Sequence, residues 1–254
     1  MHSTTVSAIR LEIVATEAGE TGDELGWVEF IAHFKERGEI KRLMVVEEMP
    51  KPSVGHSTGF GFQRPVVSCG ATYTPKRVWG FVNVKPDGSA HFRVPAERAI
   101  YFLPLDEQGR AVQRMRTFTH LMPGEVQGCV GCHASRNSAT PHLFDSLGLA
   151  MEPPQALTPP DWGVRGFDYM SIVQPVWDKH CVACHDYGQK AGEKLNLAGD
   201  LGLAFNTSYD ELRGKKYVHV VGAGPYQTQM PMSWGSHASR LTRILRIWPR
   251  SPRI

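Results

Sequence analysis

The chain has 254 residues, 41% of them hydrophobic and 21% charged, with a formal net charge of +3. That is apolar material enough for one large domain or two modest ones with real cores, and it excludes a wholly disordered chain. No run reaches the roughly 18 apolar residues of a membrane span, nothing in the small charge marks a nucleic-acid surface, and the start, MHSTTVSAIRLEIV, has no signal-peptide pattern, so a soluble chain whose export signal is missing or removed is expected.

Residues 1–60 alternate short apolar runs (AIRLEIV, WVEFIAHF, RLMVV) with charged turns, as β structure does. From Val78 the strand-length pieces WGFVNV, AHFRV, AIYFLPL and AVQRM are separated by the turns KPDGS and DEQGR, which predicts an antiparallel meander or sandwich-like sheet. Residues 1–150 thus form the expected β-rich domain. The stretch MEPPQALTPPDWG, 151–163, holds four prolines and reads as an extended linker. In FDYMSIVQPVWDKHC, Tyr169, Ile172, Val173, Val176 and Trp177 fall at helical spacing, with Asp168 as N-cap and Pro175 kinking the helix or starting a second one. Beyond it, GQKAGEKLNLAGDLGLAFN and VVGAGPYQTQMPMSWGS are glycine-rich loops, and SHASRLTRILRIW is a closing helix stopped by Pro249. The last fifteen residues, RLTRILRIWPRSPRI, are basic throughout and read as a solvated end. The fold class is therefore mixed α+β, and residues 164–254, small and loop-rich, need a cofactor to complete their core.

Four of the five cysteines form two identical motifs, each followed by histidine: Cys129, Cys132 and His133 in CVGCH, and Cys181, Cys184 and His185 in CVACH. On a helical turn this spacing brings two sulfurs to one edge of a porphyrin for thioether bonds, and puts the next imidazole under the iron. CxxCH is the signature of c-type haem attachment. Two covalently bound haems follow, with His133 ligating the first iron and His185 the second. One zinc shared by both pairs is the weaker alternative, because the interval from Cys132 to Cys181 far exceeds the roughly 15 to 20 residues usual between zinc knuckles. A redox CxxC would want a βαβ context, and a disulfide across so short a loop restricts the unfolded chain little. Cys69 is read as a small buried apolar residue.

For the second iron's other face, MPMSWGSHASR offers Met230, Met232 and His237, with His237 preferred. His180 is badly placed to reach over its own haem. Around the first motif, His120, Met122 and His142 are candidates that spacing does not separate, while Met115 and the aromatics of 99–105 read as core.

The run VKPDGSAHFRVPAERAIYFLPLDEQGRAVQRMRTFTHLMPGEVQGCVGCHASR, with YMSIVQPVWDKHCVACHDYGQKAGEKLNLAGD and VVGAGPYQTQMPMSWGSHASRL after it, resembles the middle and C-terminal haem domains of the hydrazine synthase alpha subunit family over about residues 75–246. The resemblance implies a β-rich domain carrying one c-type haem, then a cytochrome-c-like domain whose haem relays electrons. Three departures accompany it. Family members bear an N-terminal β-propeller. In the true synthase a tyrosine four residues beyond the first motif's histidine is the proximal ligand and that histidine turns to zinc; here Asn137 stands at that place, which implies ordinary ligation by His133. Relatives also continue past the closing helix with a Gly-His segment, where this chain turns into RIWPRSPRI. The expected function is electron transfer between redox partner proteins, with other subunits of a complex as further expected partners; the competing expectation is an enzyme subunit acting on a small nitrogen compound at the first haem. Haem attachment through CxxCH takes place outside the bacterial cytoplasm, which implies the periplasm or cell envelope.

Overall fold

The computed structural model describes residues 3–10, 39–49, 75–86, 88–115, 118–127, 129–130, 152–203, 205–220 and 231–247, with backbone alone for Ser3–Arg10 and Cys129–Val130. It divides into two units, Met1–Gly166 with Ala223–Pro231, and Phe167–Gly222 with Met232–Ile254.

Among the described residues the first unit holds six strands: β1 (Ser3–Arg10), β2 (Arg42–Glu48), β3 (Lys76–Asn83), β4 (Ser89–Pro95), β5 (Ile100–Leu105) and β6 (Cys129–Val130). They form two three-stranded sheets, ordered β4-β1-β6 and β3-β2-β5. All pairings are antiparallel except that of β6 with β1, where Cys129 lies beside Ile9 and Val130 beside Arg10. The antiparallel expectation holds; the meander does not. The KPDGS turn does close, with the Lys85 N–H donating to the Ser89 carbonyl at 2.9 Å, yet β3 and β4 leave it for different sheets. A tight turn dictates only the local reversal, whereas burial decides which strand sits centrally. That strand is β2, whose Leu43, Val45 and Val46 are buried and which pairs β3 on one side and β5 on the other.

AVQRM is not a strand either. Ala111 bridges Leu105, and the N–H groups of Val112 and Met115 donate to the carbonyls of Pro104 (2.9 Å) and Phe102 (3.0 Å). Pro104 has no N–H to return, so a regular ladder cannot continue. The sheets share a core in which Phe92 of β4 meets Phe102 of β5 edge-to-face, ring centres 5.8 Å apart, among buried Val94, Ile100, Leu105, Val112 and Leu121. Met115 is half-buried.

The proline-rich stretch is extended, and it is also hydrogen-bonded to both sheets. Gln155 exchanges bonds with His91 and Arg93 of β4 at 2.8 and 3.0 Å, and Thr158 with Phe81 of β3 at 2.9 and 2.8 Å. Its side chain imitates a further strand residue: Gln155 Oε1 accepts from Asn83 N and Gln155 Nε2 donates to Asn83 O, at 3.2 and 3.0 Å. This close seat requires Gly80, where a Cβ would stand 2.4 Å from the Thr158 carbonyl oxygen and φ is +149°.

The second unit is helical and loop-rich. A π-helical turn (Tyr169–Val173) runs into α1 (Gln174–His180), followed by α2 (Lys190–Lys194), α3 (Thr207–Gly214), α4 (Gly235–Ala238) and α5 (Arg240–Ile247). Asp168 caps the first turn by accepting from Ser171 N at 3.0 Å, and Pro175 occupies the opening of α1, where its missing N–H costs nothing. The core cluster is small: Trp177, Leu195, Leu197 and Leu212, with Tyr169, Val173, Cys181, Val182, Tyr217, Val218 and Leu241 packed around it. Among the described residues no helix is long and apolar enough to cross a membrane.

Candidate functional site

The second CxxCH motif begins where α1 ends. The N–H groups of Cys181 and Val182 both donate to the Trp177 carbonyl, at 2.8 and 2.9 Å, and those of Cys184 and His185 both donate to the Cys181 carbonyl, at 3.1 and 2.9 Å. The motif is therefore one tight helical turn. Both thiols are free, Cys181 half-buried and Cys184 exposed. Burial, and then the neighbouring Cys184, push the Cys181 thiol up. A redox-active CxxC needs the opposite, a thiol whose pKa is lowered.

His185 is held at both backbone and ring. Its carbonyl accepts from Leu197 N at 2.8 Å, and its Nδ1 lies 2.8 Å from the Leu195 carbonyl oxygen. A carbonyl only accepts, so Nδ1 carries the proton and the lone pair is left on Nε2. That tautomer is what a metal-ligating imidazole requires. The accepting carbonyl follows α2, which can approach only because residue 192 is glycine: a Cβ there would stand 1.8 Å from the Asp186 carbonyl oxygen. From the other side, Glu211 of α3 accepts from Asn196 N at 3.0 Å. Burial alone would push the Glu211 carboxyl up, but the Lys215 ammonium and the Asn196 N–H together hold it below the usual carboxylate range.

Val176, Leu201, Leu203, Val220 and Leu245 of this unit are exposed despite its small core. The Trp234 indole nitrogen is buried with no hydrogen-bond partner among the described residues. Met232 holds φ at 59°, a left-handed conformation uncommon outside glycine. His237 lies half-buried on α4, and His180 ends α1 exposed. Among the described residues no group of three or more His, Cys, Asp or Glu gathers where it could hold a bare metal ion.

Of the first motif, Cys129 is placed only as backbone in β6. Cys132, His133, Asn137, His142, Cys69 and Met230 lie outside the described residues. His120 and Met122 are both exposed.

The family described as the hydrazine synthase alpha subunit middle domain matches residues 38–134, a span that takes in β2 to β6 and the first motif. Residues 38–134 are therefore similar to the middle domain of the hydrazine synthase alpha subunit. A solved structure of Kuenenia stuttgartiensis hydrazine synthase resembles this chain with a TM-score of 0.55 and 18% identity, a likeness of fold. It covers 85% of this chain and 35% of that one, so this chain spans about a third of its length. No curated protein matches.

The residues around His185 went unnoticed in the sequence for a plain reason. The Leu195 acceptor is a backbone carbonyl, which has no residue-type signature. Helix α3 does carry one, since Asn206 caps it by accepting from Tyr209 N at 3.4 Å, ahead of an acidic first turn.

Proposed function

We propose that this chain is a dihaem c-type cytochrome that passes single electrons between redox partner proteins, outside the cytoplasm, in the periplasm or cell envelope. The observation that carries the reading is His185: its Nδ1–H is spent on Leu195 O at 2.8 Å, so Nε2 is free to bind iron one residue after a free cysteine pair. The geometry of the turn suits the group. Cys181 and Cys184 would hold the group by two thioethers, each S–H adding across a vinyl group with no oxidant required. The exposed apolar side chains of this unit give a ring surfaces to cover, and the Trp234 N–H has a donor's need for a carboxylate. Haem, when bound, supplies a one-electron iron couple whose potential the protein sets by ligation, hydrogen bonding and burial. In this proposal the unit is cytochrome-c-like, with His237 as the preferred further residue that would hold the iron, and Cys129, Cys132 and His133 would hold the first haem.

A second reading rests on the family match: an enzyme subunit, beside other subunits in a complex, acting on a small nitrogen compound at the first haem. Spectra separate the two. Six-coordinate low-spin haems support electron transfer, and a high-spin component that shifts with hydroxylamine supports the enzyme.

The deciding experiment is the mass of chain matured by a cytochrome c assembly system. Two haem masses should be added, and Cys181→Ala should weaken one attachment while leaving the other intact. Colourless matured protein, or pigment wholly extracted by acid acetone, overturns the proposal.

A further inference from the structure

Gln174 opens α1, seven residues before the motif, and its side chain is 2% exposed. Every hydrogen-bonding position of its amide is filled. Gln174 Nε2 donates to the Leu197 carbonyl at 2.9 Å and to Asp178 Oδ1 at 2.8 Å. Gln174 Oε1 accepts from Ser208 Oγ at 2.6 Å and from Asn206 Nδ2 at 2.8 Å. Ser208 and Asn206 are buried as well, and Ser208 Oγ lies 2.9 Å from the Tyr169 hydroxyl, which accepts from Trp177 Nε1 at 2.9 Å. Gly199 leaves room for the amide, since a Cβ there would come within 3.1 Å of Gln174 Cγ.

Leu197 is the point where this network meets the motif. Its carbonyl takes the Gln174 bond, and its N–H makes the 2.8 Å bond to His185 O. Two residues earlier, the Leu195 carbonyl accepts from His185 Nδ1. One buried amide therefore grips the short strand of chain that carries the imidazole's acceptor. A strong Nδ1–H···O=C bond raises the basicity of Nε2 and favours the oxidised metal.

We infer that Gln174 is a positioning residue for the second motif: by holding Leu197 it presses the Leu195 carbonyl onto His185 Nδ1 and keeps the reduction potential at that site low. The inference rests on the haem reading above. A polar residue fully satisfied in a core can also serve rigidity alone, so the test needs a readout that rigidity does not move.

The experiment is a spectroscopic redox titration of the matured chain, the second haem being identified as the transition lost in Cys184→Ala. Gln174→Leu removes the grip on Leu197. It should raise the second midpoint, so that the equilibrium constant for oxidation by a fixed couple falls about tenfold, or 59 mV for one electron. Tyr169→Phe cuts the same network at its far end without touching Leu197, and should leave the midpoint unmoved. If the leucine variant fails to mature, Gln174→Met supplies a flexible chain of similar length and the same expected rise. An unmoved midpoint in a pigmented Gln174 variant overturns this inference alone. A shift in Tyr169→Phe as large as in Gln174→Leu overturns it too, by showing general loosening. A wild type that matures without a Soret band overturns the haem reading, and this inference with it.

Discussion

A single methyl group is enough to obstruct the second motif. At position 192 it would stand 1.8 Å from the Asp186 carbonyl oxygen, and the obstacle is backbone, which cannot swing aside. We predict that Gly192→Ala destabilises the second unit by about 1–3 kcal/mol, the usual cost of overpacking, seen as a lower melting temperature of matured protein. Wild-type melting would refute the close approach. At the same scale, the cysteines and His185 were legible as a motif, because thioether attachment dictates their spacing. Gln174, Asn206 and Ser208 were not. Each is an ordinary polar residue until folding removes it from water and forces it to find partners.

At the scale of elements, α3 acts on the motif through one carboxylate. Glu211 accepts from Asn196 N, in the segment that carries the Leu195 acceptor. Its pKa is held below the ordinary 4.5: burial opposes this, and the bonds from Lys215 and Asn196 prevail. The unfolded chain therefore takes up this proton more readily than the folded one. The resulting stability is present above the unfolded value and is lost as pH falls through the lower folded value. We predict that amide exchange at Asn196 accelerates below about pH 4.5, and that Glu211→Gln, which keeps an acceptor, flattens that dependence. Exchange that stays pH-insensitive after correction for intrinsic rates, in the wild type, would refute the clamp. The helix before the motif was well marked by Asp168 and Pro175, since capping and the fixed φ of proline are local effects. That its first turn is π-helical was not, since the apolar spacing of Tyr169, Ile172 and Val173 does not separate an α from a π turn.

Over the whole molecule, the two units differ in how far apolar packing alone can support them. The first has two sheets sharing a core with Leu43, Val45, Phe92, Val94, Ile100, Leu105 and Val112, all at 2% exposure or less. The second has, among the described residues, a cluster of four buried side chains and several exposed apolar ones. On the haem attachment proposed above, we predict that Cys184→Ala lowers the calorimetric transition of the second unit and leaves that of the first in place. One common shift of both transitions would refute independent cores. The sequence by itself determined what local chemistry can determine: two cysteine–histidine motifs, the turns, the caps, a β-rich half and a helical half. Tertiary structure alone decided that β3 and β4 part company, that the proline-rich stretch is bonded to both sheets, and which carbonyl holds the His185 ring. Those outcomes depend on burial and on partners far away along the chain, and a backbone carbonyl looks the same in every residue until the fold aims it.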